Sequence, residues 1–281
     1  GSIQGGTVKH LTVEADDISG IDRIAVLAGS VSQDGVIYDV TVSGYLHGES
    51  SQTTKTAGSG KSSGNAGGIA GFCDGENSRV TVENCRAEGI VINSLSPESY
   101  VGGIVGETHR TDLVDNQVYT QDGTADRIQG KGYVGGIAGN MDETNIYNSY
   151  VDGTVGGNKT RAAGGIAGKY ESGNLVLARF AGDISRTNNG AAACEGTFIG
   201  TRESRDTFTY GTEKSNNLSY LFTNTAAKAK NVFGSKLDGD NSYTQSAQIG
   251  YWTDNETRYT LLSGTTEIKS QELYFYEKLE E

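Results

Sequence analysis

Along most of the chain, apolar residues come in short clusters separated by polar stretches, and the clusters return in step. The phrase Ala66-Gly67-Gly68-Ile69-Ala70-Gly71 comes back as Val101-Gly102-Gly103-Ile104-Val105-Gly106. It returns again as Val134-Gly135-Gly136-Ile137-Ala138-Gly139 and as Ala163-Gly164-Gly165-Ile166-Ala167-Gly168. Shorter forms, Val26-Leu27-Ala28-Gly29 and Phe198-Ile199-Gly200, stand before and after these four. The final glycines are at 29, 71, 106, 139, 168 and 200, so the steps are 42, 35, 33, 29 and 32 residues. Periods of this size mark stacked supersecondary units, each too small to bury its own apolar side.

The apolar positions within a unit are also ordered. Seven residues after the final glycine stand Val36, Leu113, Ile146 and Leu175, and in the second copy Val80 and Val82 take that place. A second cluster follows, Val118-Tyr119, Tyr150-Val151 or Phe180-Ala181, and a glycine closes the unit at Gly123, Gly153 or Gly182. In the first copy Val36, Val40 and Val42 alternate with polar residues. Clusters this short, many of them β-branched, predict strands of about four to six residues rather than helices. Each repeat therefore reads as strand, polar turn, strand, glycine turn. The isoleucines of the phrase suit the buried side of a pleated strand. The glycines beside them (Gly67, Gly68, Gly71, Gly102, Gly103, Gly106, Gly135, Gly136, Gly139, Gly164, Gly165 and Gly168) are the structural residues of the repeat. They let the chain turn sharply, or let another backbone approach where a Cβ would intrude.

The expected fold is an all-β solenoid, a right-handed parallel β-helix of about six irregular coils with a C-terminal β cap. Residues 1–201 carry the repeats, beginning with a part-coil at 1–19 around Val8, Leu11 and Val13. A Ser, Thr, Gly and Lys loop at 48–66 accounts for the longest step. Residues 202–281 lose the regularity and hold most of the aromatic residues, as an irregular cap or continuation. Within that tail Tyr251 and Trp252 are the candidates to face a ligand, since sugar-binding platforms use exposed Tyr and Trp; core of the cap is the competing reading.

Composition narrows the partners. A formal net charge of -12 argues against a nucleic-acid or anionic-membrane surface, both of which call for a cationic face. No apolar run is long enough to span a bilayer. Gly 41 beside Pro 1 points to glycine used inside ordered structure. Three cysteines do not make a disulfide framework; Cys73 and Cys85 share a repeat and read either as a bridge or as two buried thiols. Gly1-Ser2 reads as a cloning scar, so any export signal is expected outside the fragment.

The sequence predicts no catalytic set. His10, His47 and His109 are scattered, and none begins a His-Glu-x-x-His motif. Gly58-Ser59-Gly60-Lys61-Ser62 lacks the first glycine of a phosphate loop, because Lys55 occupies its place. No cofactor is expected; calcium is the one ion left open, at Asp238-Gly239-Asp240-Asn241-Ser242, where Tyr243 replaces the required glycine. The charged cluster Arg202-Glu203-Ser204-Arg205-Asp206 reads as a solvated connector.

The repeated phrase, its polar turn, a following Asn-x-x-[Tyr/Val/Phe] and the closing glycine resemble the GLUG motif, with Ile in place of the naming Leu. Residues 134–153 give the closest likeness and 163–182 the next, while Lys269–Leu279 is similar to a segment that often follows such arrays. GLUG repeats occur in the N-terminal region of streptococcal IgA1 protease-like zinc metalloproteases and in adhesins of gut bacteria. The resemblance covers roughly residues 20–200. It implies a β-solenoid in an extracellular, surface-attached bacterial protein, acting as adhesin, ligand-binding region or spacer. A host or matrix glycoprotein or glycan is the partner it implies, with neither nucleic acid nor membrane insertion. The alternatives are a polysaccharide-active β-helix enzyme, or the substrate-recognition region of such a metalloprotease.

Overall fold

The computed structural model describes residues 1–49, 64–120, 127–185, 194–202, 218–229, 234, 249–253, 258–262 and 267–269. These residues are nearly all strand, with one helical turn at Ala226–Ala229. The strands form three sheets of seven, six and sixteen members, and each repeat adds one side to each sheet. Strands of successive repeats pair in parallel, so that the coils stack into a β-solenoid of about six turns. The repeat period is thus a rung: Tyr100–Gly102, Val105–His109 and Thr111–Val114 are the three sides of one coil. Tyr133–Gly135, Ala138–Asp142 and Thr144–Tyr147 lie directly above them.

Registry makes every interior position a column of like residues. Ile69, Ile104, Ile137 and Ile166 are fully buried and hydrogen-bond each to the next along the axis. On the longest sheet Ile37, Val82, Leu113, Ile146, Leu175 and Leu218 form a second column, each at most 1% exposed. One continuous apolar core runs the length of the stack.

The glycines of the phrase work by close approach. None of the twelve has a positive φ. A Cβ on Gly67, Gly102, Gly135 or Gly164 would lie 2.0–2.1 Å from the carbonyl oxygen three residues on, at Ala70, Val105, Ala138 and Ala167. One on Gly103 would lie 2.3 Å from the Gly136 oxygen, and one on Gly136 2.1 Å from the Gly165 oxygen. The final glycines meet the six-stranded sheet: a Cβ on Gly139 would fall 2.3 Å from the Val101 nitrogen. The chain therefore folds back at a sharp edge between the six- and seven-stranded sheets, and neither layer tolerates a side chain there.

The longest sheet bends at a second kind of corner. His10, Asp39, Asn84, Asp115, Asn148, Leu177 and Tyr220 occupy one register position on successive coils, all with φ between 45 and 55°. This left-handed conformation is the one Asn and Asp tolerate best among residues with a Cβ. Their side chains link along the axis: Asn148 Nδ2 donates to Asp115 Oδ1 at 2.5 Å, and Asn84 Nδ2 to Asp39 Oδ1 at 3.4 Å. One residue on, the buried Asn116 accepts from the Cys85 amide at 3.0 Å and donates to the Val82 carbonyl at 2.8 Å.

The corner also corrects the alternation read in the first repeat. A left-handed residue resets which face the next side chain takes. Ile37, rather than Val36, joins the column of Val82 and Leu113, while Val40 and Val42 do point inward. The three cysteines are free and buried, Cys73 and Cys85 in separate interior columns. Burial pushes both thiols up, Cys85 to about 12.

At the amino end Ile3, Val8, Val13 and Ile18 stand in register with Val31, Ile37, Val42 and Leu46. Past Arg202 only the longest sheet continues among the described residues. It adds Leu218–Thr223 and Ile249–Thr253 in parallel, then Arg258–Leu261 and Glu267–Lys269 antiparallel. Most of the expected 48–66 loop lies outside the described residues, as do residues 203–206 and 238–242.

Gly136→Val is expected to cost at least about 3 kcal/mol or to prevent folding, while Thr12→Val, on an exposed strand position, stays within about 0.5 kcal/mol. Urea unfolding of the two variants tests this; equal midpoints would contradict the close-approach account. At the left-handed corner, Asn148→Val should be less stable than Asn148→Gly by about 1–2 kcal/mol, since both lose the Asp115 bond and only valine bears the backbone strain. Thermal melts of this pair decide it.

Candidate ligand face and polar seam

The two singled-out aromatics part company on their strand. Ile249–Thr253 alternates, so Tyr251 follows the buried Ile249 while Trp252 takes the outer face. Trp252 joins Tyr150 there, with ring centroids 6.5 Å apart. The stripe continues through Tyr119, 5.7 Å from Tyr150, and is flanked by arginines. Arg86 lies 5.0 Å over the Tyr119 ring and Arg179 5.3 Å over Tyr150. A guanidinium over a ring face is attracted by the ring quadrupole, so cation and ring hold each other in place. At its carboxyl end the stripe merges with a small outer cluster of Leu177, Phe222 and Tyr259, against which Trp252 packs. Trp252 thus packs at the end of the stack and adjoins the tyrosine stripe. It is the chain's single tryptophan.

A different arrangement lies between the six- and seven-stranded sheets, beyond the sharp glycine edge. Glu107, Asn140 and Lys169 each follow the last glycine of a repeat, and the strand register sets them one above another. Asn65, Tyr100 and Tyr133 form a column of the facing sheet. Most of this seam is closed: Asn65 is 0% exposed, Asn140 4%, Tyr133 5% and Lys169 6%. Asn65 Nδ2 donates to Glu107 Oε2 at 2.5 Å and its Oδ1 accepts from the Tyr100 amide at 2.9 Å. The Lys169 ammonium lies 2.8 Å from Glu171 Oε1 and 5.6 Å from the centre of the Tyr133 ring, which stacks on Tyr100 at 5.4 Å. Asn140 Oδ1 is buried without a hydrogen-bond donor. Burial pushes the Glu107 carboxyl above the ordinary carboxylate range, against the opposing pull of the Asn65 bond and of Arg23.

The sequence reading missed this seam, although its signal was available. Aligning the repeats on their last glycine places Ser30, Phe72, Glu107, Asn140, Lys169 and Thr201 in one column. The histidines prove to be neighbours of aspartates on adjacent coils: His10 with Asp39 at 2.7 Å, His47 with Asp17 at 3.7 Å, and His109 with Asp74 at 3.0 Å. No three His, Cys, Asp or Glu side chains converge as a metal set among the described residues. The chain gives no match to protein-family models, to curated proteins or to solved structures.

Glu107 gives stability a defined pH dependence. The folded chain binds the Glu107 proton more tightly than the unfolded chain, so the contribution of the neutral form is full below the unfolded value. It is lost as pH rises through the raised folded value. The stability gap between Glu107→Gln and the parent should therefore move in favour of the Gln variant as pH rises from about 4 to about 7. Urea midpoints across that range measure it; a constant gap would contradict it.

Proposed function

We propose that the chain is a non-catalytic module of an exported bacterial surface protein, a rod that spaces neighbouring parts and binds a host or matrix glycan or glycoprotein along its outer face. The observation that carries this reading is the ladder itself. Three sheets share one axis, so each added coil lengthens the body without changing its cross-section. Such a body suits display and reach. The likeness of the repeated phrase to GLUG motifs supports the surface location, and the acidic balance fits a partner other than nucleic acid or anionic lipid. The aromatic stripe from Tyr119 through Tyr150 to Trp252 supports a sugar-bearing partner, because Tyr and Trp offer an apolar face and a polar tip together.

Immobilised chain should retain one or more members of a panel of matrix glycoproteins and purified glycans. Trp252→Ala should weaken that retention by at least about tenfold in chain that circular dichroism shows to be still folded at the assay temperature. Retention unaffected by the substitution would remove the stripe from the reading. Shortening of the glycans by the purified chain would replace the module with a polysaccharide-active enzyme.

A further inference from the structure

The seam sets three polar groups in one column, two of them nearly closed from water, and that placement calls for an explanation. Asn140 and Lys169 are register partners on adjacent strands, roughly 4.8 Å apart along the axis. Glu107 is the partner of Asn140 on the other side. A lysine, a primary carboxamide and a carboxyl thus follow one another in a single column, and the amide and the amine are both more than nine-tenths buried. The carboxamide oxygen has no donor, and a protonated carboxyl on the next rung is the group that would supply one.

We propose that Lys169 and Asn140 become joined by an amide bond inside the folded chain, with Glu107 as the assisting acid, so that successive coils are covalently cross-linked. The reaction is a transamidation that needs no oxidant or second substrate. Lys169 Nζ passes a proton to Glu171, 2.8 Å away, and the neutral amine attacks Asn140 Cγ. Glu107 donates its proton to Oδ1 as the carbon becomes tetrahedral, and its carboxylate then moves a proton from the attacking nitrogen to Nδ2. The Cγ–Nδ2 bond breaks, ammonia leaves, and the Oδ1 proton returns to Glu107. Ammonia takes the proton held by Glu171, so both carboxyl groups end as they began. The new bond joins Nζ to Cγ.

The surroundings favour each step. Registry sets the two residues on adjacent rungs of one column, which removes much of the entropic cost of their side chains meeting. Burial raises the Glu107 carboxyl above its ordinary value, which favours the protonated form that a proton donor needs. Asn140 and Lys169 are themselves nearly closed from water, which would otherwise compete for the tetrahedral carbon.

Mass spectrometry of the intact, purified chain tests this. The expected mass is that of the sequence less one ammonia, and proteolysis should yield a branched peptide joining the segments around Asn140 and Lys169. Lys169→Arg and Glu107→Gln should each restore the full mass while circular dichroism still reports a β-rich fold. Glu107→Asp, which keeps an acid, should form the link slowly. A parent chain at full sequence mass, with no branched peptide, overturns the proposal. So does an ammonia loss that survives Lys169→Arg, and a loss of water instead would move the bond from Asn140 to a glutamate. The peptide map of the parent decides the matter even if a variant fails to fold.

Discussion

The close approach of two backbones at the glycine edge is the constraint on which the other features rest. Because Gly102 lies where a Cβ would come 2.1 Å from the Val105 oxygen, the chain can reverse within two residues and lay one sheet against another. Because Gly103 presents the same bareness to the Gly136 carbonyl above it, the reversal can repeat on every coil. The isoleucine between the glycines is thereby driven inward, where it meets the isoleucines of neighbouring coils. Remove the bare edge and the two shorter sheets separate, taking with them the register that stacks every other column. The edge supplies shape rather than energy; burial of the columns it aligns supplies the energy.

The second corner solves a different problem by different means. Three sides must close around one core, so the longest sheet has to bend while keeping its ladder. A left-handed residue does this at each coil, and Asp39, Asn84, Asp115 and Asn148 carry it with little strain. Stacked at one position, their side chains find one another along the axis. Leu177 and Tyr220 take the same backbone where the outer cluster of Phe222, Tyr259 and Trp252 gathers, and burial there offsets their strain. The end of the stack is thus built on aromatic packing where its middle is built on pairs of carboxamide and carboxylate.

How much of this was legible follows from the same physics. The solenoid was, because one glycine phrase spaced by roughly one coil can bury its isoleucines only by stacking. The choice between Val36 and Ile37 was not, because alternation assumes an extended strand and Asp39 breaks it. The separation of Tyr251 from Trp252 followed from alternation alone once their strand was known, yet the strand itself sits in a tail without repeats to reveal it. The seam column was hidden for a third reason: Glu107, Asn140 and Lys169 are chemically unlike, so no repeat-by-repeat pattern of residue type marks them. Registry joined them, and registry is a property of the glycine edge that they follow.

That unlikeness bears on what the column is for. A position following the edge glycine is filled by Ser30 and Thr201 near the ends of the stack, small polar residues that cost little to bury. Phe72 fills it on the second coil, and the next three hold a carboxyl, a carboxamide and an ammonium, each of which is destabilising when taken from water without full compensation. Asn140 lacks a partner for its oxygen, and burial raises the Glu107 carboxyl above its ordinary value. Apolar residues of similar volume would satisfy the packing better. Residues that break a local rule without an evident structural gain are where function or chemistry is to be sought. Here the breach is confined to one column of the seam, in an order that sets the carboxamide between the acid and the amine.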